Sequence, residues 1–261
     1  MMFDGKIVAI TGAAGGIGQA LCRYFGAQGA MIGLIDQSET VDSVAEQLVS
    51  EGIKAVAVRV DISDAAAVKQ GFAALAGQLG TIDILINNAG FSKHPTFART
   101  DPAGWEHDVQ GNLNGAYFCA HAVLPGMQDK GQGAIINIGS VNGLGALGDP
   151  AYSAAKAGMI SLTRSLALEY GRFNIRVNSV LPGTVRTPLW EVRAKKDPNV
   201  LATLKRWYPL GRIVEPIDVA RTVGFLASDH AAAITGVALP VDCGLTAGNI
   251  VMARELTLED F

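Results

Sequence analysis

Seven short apolar runs alternate with longer amphipathic segments along most of this 261-residue chain. Most of the runs are continuously apolar, which is typical of parallel strands that helices cover on both faces. The predicted strands cover residues 6–11, 30–36, 55–61, 82–87, 133–139, 175–181 and 238–241. The predicted helices cover residues 17–28, 43–51, 64–79, 104–129, 152–172 and 215–228. This alternation predicts a single α/β domain over residues 1–261, built on a seven-stranded parallel sheet with helices on both faces.

Composition and charge exclude several classes of protein. Apolar residues make up 49% and charged residues 17%, so the chain can bury a substantial core. A net charge of −3 provides no global basic field for nucleic acid. No apolar run reaches the ~20 residues of a membrane span, and the N-terminus leaves no room for a signal peptide. Three cysteines, at positions 22, 119 and 243, fit neither a metal spacing nor an even disulfide framework. We expect a cytoplasmic protein with no metal site, no nucleic-acid partner and no membrane partner.

A glycine-rich turn follows the first predicted strand and leads directly into a helix. It reads Thr11-Gly12-Ala-Ala-Gly15-Gly16-Ile17-Gly18. Glycines let the backbone turn sharply and approach a pyrophosphate, whose charge suits a helix N-terminus. The alternative is close strand–helix packing without a ligand. We predict that Gly12, Gly15, Gly16, Ile17 and Gly18 bind a dinucleotide.

Acidic residues end the second and third predicted strands. Asp36 can accept hydrogen bonds from both ribose hydroxyls and would repel a 2′-phosphate. Gly15 and Gln37 are neutral, and with no cation expected nearby we predict NAD rather than NADP. Asp61, with Ile62 after it, can contact the adenine, although Asp61 can equally cap the next helix, a role for which Asp64 competes.

Two further motifs follow later strands. Asn88, Ala89 and Gly90 come after the fourth strand and would let the backbone pass under the adenine ribose, or form a plain turn. Tyr152 and Lys156 lie one helical turn apart, twelve residues beyond Ser140. A nearby ammonium can lower the pKa of a phenol, and a serine hydroxyl can hold a substrate oxygen. A solvated Tyr/Lys pair is the alternative.

Taken together, these residues resemble the short-chain dehydrogenase/reductase family of single-domain Rossmann proteins. The resemblance covers residues 6–248. It rests on the Thr11–Gly18 turn, the Asn-Asn-Ala-Gly sequence at 87–90, Asn112, Ser140, the Tyr152/Lys156 pair and the Pro182-Gly183-x-x-x-Thr187 sequence.

The resemblance implies a role for each matching residue. Tyr152 would be the acid/base, and Lys156 would lower the pKa of Tyr152 and hold the nicotinamide ribose. Ser140 would orient the substrate oxygen, and Asn112 would hold a water that links Lys156 to solvent. Residues along the nicotinamide would be Pro182, Gly183, Val185 and Thr187. Two departures stand out: the Ser140–Tyr152 interval is one residue shorter than the commonest form, and Gly111 replaces a branched apolar residue.

The resemblance also implies that residues 184–212 form a lid over the substrate. Seven basic residues in this stretch face two acidic ones, Glu191 and Asp197. Such a lid can attract a carboxylate, phosphate or sulfonate, and tryptophans can cover sugar rings. The alternative is a solvated lid with tryptophans as packing. The candidate substrate residues are His94, Asn142, Arg186, Trp190, Arg193 and Trp207.

These patterns favour an NAD-dependent dehydrogenase of a polar secondary alcohol or lactol, with an anionic or neutral sugar as the leading substrate. One alternative is a 3-oxoacyl thioester reductase, and a second is a non-catalytic NAD-sensing scaffold. Relatives pair the helices predicted at 104–129 and 152–172 in a dimer interface, so the resemblance implies a homotetramer. The tail, residues 245–261, ends in an acidic segment that can reach a neighbouring subunit or fray.

Overall fold

The structure is a computed structural model that describes residues 1–259, apart from the side chains of Leu189, Glu191 and Val192. The last two residues of the expected tail, Asp260 and Phe261, lie outside the described residues.

Seven parallel strands form one sheet at the centre of the molecule. The strands are β1 (Ile7–Thr11), β2 (Met31–Asp36), β3 (Ala55–Arg59), β4 (Ile84–Asn87), β5 (Gly133–Ile138), β6 (Ile175–Pro182) and β7 (Ala238–Val241). They lie in the order β3-β2-β1-β4-β5-β6-β7, and every neighbouring pair is parallel. The predicted α/β architecture with a seven-stranded parallel sheet is confirmed.

The third strand is shorter than predicted. It ends at Arg59, so Asp61 lies two residues beyond the strand and not at its end. Parallel pairing of β2 with β3 places Arg59 opposite Asp36. This cation is 23 positions away in the sequence, and only the sheet register brings it to the end of β2.

Helices cover both faces of the sheet. They are α1 (Gly16–Ala27), α2 (Thr40–Ser50), α3 (Ala65–Leu79), α4 (Pro102–Val109), α5 (Gly115–Lys130), α6 (Pro150–Tyr170), α7 (Pro188–Lys196), α8 (Val200–Lys205), α9 (Pro216–Ala227) and α10 (Ile250–Thr257). Side chains of β1 alternate between two cores: Val8 and Ile10 pack with α1, α2 and α9, whereas Ile7 and Ala9 pack with α3 and α5. Burial on both faces explains why the strands read as continuous apolar runs.

The helix predicted at 104–129 begins earlier and is interrupted. Asp101 caps α4 by accepting a hydrogen bond from the backbone N–H of Gly104, and Pro102 occupies the first turn. A π turn at Gln110–Asn114 then joins α4 to α5. Such turns carry no clear sequence signature, and they recur at functional sites.

A β-bridge and a backbone hydrogen bond join the two ends of the segment that follows β6. A parallel bridge joins Val185 to Val214, and the backbone N–H of Arg186 donates to the carbonyl oxygen of Val214. Two short helices, α7 and α8, occupy the segment between these anchors.

Candidate active site

The turn after β1 meets the turn after β4 at the carboxyl edge of the sheet. Strand order reverses between these two strands, which is where ligands bind in such sheets. The Thr11 hydroxyl accepts hydrogen bonds from the backbone N–H groups of Asn88 and Ala89, each at 3.0 Å. Gly12 has φ +64°, and a Cβ there would lie 2.8 Å from the Cα of Ala89. The two turns are therefore in close backbone contact.

The first turn of α1 has the features of an anion-binding site. Gly15, at the N-cap, makes no side-chain capping bond, so the first N–H groups of the helix have no side-chain partner. A Cβ on Gly18 would lie 2.1 Å from the carbonyl oxygen of Gly12. The glycines therefore serve close packing, which was the alternative reading, and also leave an open helix N-terminus that suits a pyrophosphate.

Asp36 is fixed by backbone donors at the wall of the cleft. Its Oδ2 accepts from the N–H of Ala14 at 3.0 Å, and its Oδ1 accepts from the N–H of Ser38 at 2.9 Å. Each carboxylate oxygen retains acceptor capacity. The arrangement fits the expected contact with ribose hydroxyls.

One cation lies nearer to Asp36 than the sequence indicated. The Nε of Arg59 donates to the carbonyl oxygen of Gln37 at 3.0 Å, and its Nη1 donates to Glu39 at 2.8 Å. The expectation of no nearby cation is therefore wrong, because strand pairing joins positions that the sequence separates.

The two acidic residues beyond β3 have different roles. Asp64 caps α3 by accepting from the N–H groups of Ala66 and Ala67. Asp61 accepts from the N–H and hydroxyl of Ser63 and lies on the cleft wall. Asp64 and not Asp61 therefore caps α3, and the carboxylate of Asp61 lies on the cleft wall.

A cleft of about 1200 Å³ runs along this edge of the sheet. The predicted cofactor residues on its wall are Gly12, Gly15, Gly16, Ile17, Gly18, Asp36, Asp61, Ile62, Asn88, Ala89, Gly90 and Thr187. Among the residues that the structure describes, the lining does not include the predicted cofactor residues Tyr152, Lys156, Pro182, Gly183 or Val185. Val185 is buried in the core because its bridge to Val214 turns it inward. The α4 residues Trp105 and His107, which sequence reasoning did not single out, also line the cleft.

Ser140, Tyr152 and Lys156 come together where β5 ends and α6 begins. The hydroxyl of Ser140 interacts with that of Tyr152 and donates to Asn142 Oδ1 at 3.3 Å. The Nζ of Lys156 lies 5.5 Å from the centre of the Tyr152 ring and donates to the carbonyl oxygen of Ile138 at 2.9 Å. This is the clustering that the sequence spacing predicted, despite the shorter interval.

The shorter interval between Ser140 and Tyr152 is closed by a compact loop. Asn142 donates from its backbone N–H to the Ser140 hydroxyl at 3.2 Å, and its side-chain amide donates to Gly148 and Ser153. Asp149 adopts the left-handed conformation, with φ 48°. Its Oδ1 accepts a hydrogen bond from the Ser92 hydroxyl at 2.5 Å.

Burial shifts both titratable groups of this cluster towards their neutral forms. Enclosure of the phenol raises the pKa of Tyr152; the hydrogen bond with Ser140 acts in the opposite direction, and the Asp149 carboxylate adds to the rise. Burial also lowers the pKa of Lys156 to about 8. The direction at Tyr152 is opposite to the one expected from the sequence, because enclosure of the phenol by protein is the largest influence on its pKa.

Asn112 lies in the π turn with its side chain fully engaged. Its Nδ2 donates to the carbonyl oxygens of Phe91 and Asp108 at 2.7 and 2.8 Å, and its Oδ1 accepts from the N–H of Phe91. A Cβ on Gly111 would lie 2.5 Å from the Phe91 ring. Gly111 therefore departs from the family pattern because Phe91 fills the space of the usual side chain.

The predicted substrate residues of the lid pair among themselves or with α9 and its flank. Arg186 forms an ion pair with Glu215 at 2.7 Å. Arg193 stacks on Trp190 at 4.5 Å, and Arg206 stacks on Trp207 at 4.7 Å. Among the described lining residues, none of Arg186, Trp190, Arg193 or Trp207 is found. The structure does not gather this set around the cleft.

His94 lies against α4 and beside a buried carboxylate. Its Nδ1 is 3.7 Å from Asp108 Oδ2, and the Nδ1 of His107 is 3.5 Å from Asp108 Oδ1. Both oxygens of Asp108 are buried and lack a hydrogen-bond partner among the described residues. No group of three described His, Cys, Asp or Glu side chains is arranged to hold a metal ion. His94 thus packs on this side of the fold and is absent from the described cleft lining.

A parallel sheet with a glycine-lined cleft, an acidic residue at the end of β2 and a Ser/Tyr/Lys cluster is the arrangement of a dinucleotide-dependent oxidoreductase. The family model described as enoyl-(acyl carrier protein) reductase matches residues 12–246. The meso-2,3-butanediol dehydrogenase of Serratia marcescens is 40% identical, over 95% of this chain and 98% of that protein. The cis-4-hydroxycyclohexanecarboxylate dehydrogenase of Sinomonas cyclohexanicum is 38% identical, over 94% and 98% of the two chains.

Solved structures agree with these relatives. A short-chain dehydrogenase/reductase family oxidoreductase from Burkholderia thailandensis is 48% identical, with a TM-score of 0.91 and coverage of 98% of both chains. A gluconate 5-dehydrogenase from Burkholderia cenocepacia, in complex with NADP and tartrate, is 31% identical, with a TM-score of 0.88 over 94% of this chain and 96% of that one. The chain belongs to the short-chain dehydrogenase/reductase family. It is an oxidoreductase that acts on alcohol groups with a nicotinamide cofactor.

Proposed function

We propose that this protein transfers hydride between NAD and a polar secondary alcohol or lactol, with a sugar as the leading substrate class. The observation that carries the proposal is the cluster of Ser140, Tyr152 and Lys156, which lies next to Gly90 on the wall of the cleft that Asp36 also lines. A carboxylate held by two backbone N–H groups favours ribose hydroxyls and repels a 2′-phosphate.

Each catalytic side chain has one task in the oxidative direction. Ser140 donates a hydrogen bond to the substrate oxygen, and Tyr152, as phenolate, accepts the hydroxyl proton. Lys156 contributes a positive charge beside the Tyr152 ring, which favours the phenolate. Asn112, whose side chain holds the π turn against Phe91, would hold a water that links Lys156 to solvent. NAD⁺, when bound, supplies the hydride acceptor. Of the cofactor candidates off the cleft wall, Pro182, Gly183 and Val185 would contribute through the backbone that leads to Thr187.

The proposal extends to substrates that carry an acidic group. Two relatives are named for acidic substrates, a hydroxycyclohexanecarboxylate and a gluconate, and one for a neutral diol. An anion bound by the lid would have to compete with Glu215 for Arg186. The proposed substrate contacts therefore include the lid residues Arg186, Trp190, Arg193 and Trp207 as they approach the cleft on closure, together with His94 and Asn142.

A substrate panel tests this function. The rate of NADH formation at 340 nm would be measured with NAD⁺ and paired neutral and acidic sugars, such as glucose and glucuronate, and with 2,3-butanediol. We expect turnover on a polar secondary alcohol or lactol, and a reduction of about 10²–10⁴-fold in Tyr152→Phe. Turnover that survives in Tyr152→Phe would contradict the role of this side chain.

The second candidate is reduction of a 3-oxoacyl thioester; the matching family model, described as enoyl-(acyl carrier protein) reductase, shares the acyl thioester class of substrate but names a different reaction. Acetoacetyl thioester would be offered with NADH and with NADPH in the same assay. Faster turnover of the thioester than of every alcohol tested would establish this alternative. Binding of NADH with no turnover on any substrate would instead favour a scaffold that senses NAD.

We propose that the protein is a cytoplasmic homotetramer assembled through α5 and α6. Tyr117 on α5 is 48% exposed and Leu168 on α6 is 89% exposed, so both helices present apolar surface that a partner would cover. Among the described residues, no helix is long and apolar enough to cross a membrane. Residues 184–212 are proposed as the lid and residues 1–261 as one domain.

A further inference from the structure

We propose that Glu39 is a specificity-determining residue for the cofactor, because it engages the one arginine that strand pairing brings to Asp36. The inference rests on the proposed use of NAD, and it identifies how the chain would select against a 2′-phosphate. Arg59 ends the edge strand β3 directly opposite Asp36. Its guanidinium binds the carbonyl oxygen of Gln37 and the carboxylate of Glu39.

The guanidinium is close to the ribose end of the cleft. Asp36 and Gln37 both line the cleft wall, and Arg59 is hydrogen-bonded to the backbone of Gln37. A phosphate on a ribose hydroxyl held by Asp36 would interact electrostatically with the charges of Asp36, Glu39 and Arg59. Arginine is the residue that most often accommodates a 2′-phosphate, through bidentate hydrogen bonds.

The charge of Glu39 determines whether these side chains repel a phosphate. With Asp36, Glu39 and Arg59 all ionised, two negative charges face one positive charge, so a dianionic phosphate is disfavoured. Removing the charge of Glu39 balances Asp36 against Arg59. It also weakens the attraction that now holds the Nη1 of Arg59 to Glu39 at 2.8 Å, since a neutral amide oxygen is a weaker acceptor than a carboxylate.

The pair can be broken without disturbing the fold. The side chains of Arg59 and Glu39 are 57% and 81% exposed, and exposed ion pairs contribute little to stability. Glu39 occupies the N-cap position of α2 but makes no side-chain capping bond there. Glu39→Gln therefore removes a charge and leaves the helix start unchanged.

Two small probes isolate the 2′-phosphate without any substrate. Binding of adenosine 2′,5′-bisphosphate and of 5′-AMP would be measured by calorimetry, since the probes differ only at the ribose 2′ position. In Glu39→Gln we expect the affinity ratio to move towards the bisphosphate by about 5–10-fold at low salt, and by less at 0.5 M salt. The matched control is Glu46→Gln, the same charge change at an exposed position further along α2, which should leave the ratio unchanged.

The double variant Glu39→Gln/Arg59→Gln tests whether the gain in bisphosphate affinity depends on Arg59 or only on the loss of a negative charge. If the inference is right, the gain in bisphosphate affinity disappears when Arg59 is also replaced. Equal ratios in Glu39→Gln and Glu46→Gln would overturn the inference, as would a gain that persists without Arg59. A wild-type protein that prefers the bisphosphate would contradict the NAD assignment instead, and that result needs no variant.

Discussion

A Cβ atom on Gly90 would lie 3.1 Å from the Nζ of Lys156 and 2.7 Å from the Oδ1 of Asn112. The absence of a side chain at position 90 is thus what lets the turn after β4 close over the lysine. Glycine at this position therefore leaves room for both the ammonium of Lys156 and the side chain of Asn112 in the π turn.

Gly90→Ala should lower turnover by displacing Lys156 and Asn112. We expect a reduction of about 10–100-fold in kcat, because misplacement by about 1 Å can cost ~10² in rate. The control is Gly77→Ala in α3, where a Cβ meets nothing within 4 Å, and which should raise the melting temperature slightly. Unchanged kcat in Gly90→Ala would show that the lysine has room to move.

Asp149→Asn should shift the pH dependence of alcohol oxidation. The carboxylate adds to the burial that raises the pKa of Tyr152, so its neutralisation should move the ascending, acidic limb of kcat/KM, where Tyr152 loses its proton, to lower pH. Asparagine also tolerates the left-handed conformation at this position. Ser92→Ala, which removes the hydrogen bond but keeps the charge, should not shift the limb in that direction. An unchanged pH profile in Asp149→Asn would show that Asp149 does not influence the pKa of Tyr152.

Burial of Lys156 should make stability depend on pH. Its pKa is about 8 in the folded protein and 10.5 when exposed, so between these values the unfolded chain binds the proton that the folded chain has lost. The free energy of unfolding contributed by this group therefore rises as pH increases from about 8 to 10.5, and stays low below pH 8. Relative to Lys156→Met, wild-type protein should gain up to about 3 kcal/mol across this range.

Urea unfolding at several pH values would measure that gain. The comparison with Lys156→Met cancels the titration of groups that the two proteins share. A difference between them that is independent of pH from 7 to 10.5 would show that Lys156 keeps its ordinary pKa in the fold.

Leu168→Glu should weaken the proposed assembly through α6. Leu168 is 89% exposed, and a carboxylate buried against a partner helix would be costly. Sedimentation velocity should show a shift from tetramer to smaller species. Val49→Glu, at a 56% exposed position on α2, is the control and should leave the assembly intact. A wild-type monomer at micromolar concentration would contradict the interface altogether.

The sequence predicts those parts of the fold and site that local chemistry specifies. Gly12 and Gly18 have no room for a side chain, Asp36 ends its strand, and Tyr152 and Lys156 share a helix face, so spacing alone indicated each of them. Strand bounds shifted by one or two residues, as at Asp61, because hydrophobicity continues beyond the last paired residue.

Features that depend on register or burial could not be predicted. Arg59 reaches Asp36 only through the pairing of β2 with β3. One lid arginine pairs with Glu215 and two stack on neighbouring tryptophans. The number of basic residues in the sequence therefore overestimated the positive charge available to a ligand. The pKa of Tyr152 rises because protein encloses the phenol, which spacing within a helix does not reveal.

The π turn at Gln110–Asn114 has a consequence for how this chain tolerates change. One additional residue in a helical turn rotates everything downstream by about 100° relative to what precedes it. Deleting a single residue there would restore an uninterrupted α-helix, and then Asn112 and the sheet-facing side of α5 could not both keep their orientation. Insertions and deletions should thus be far less tolerated between α4 and α5 than at the helix ends, even though the segment is locally regular.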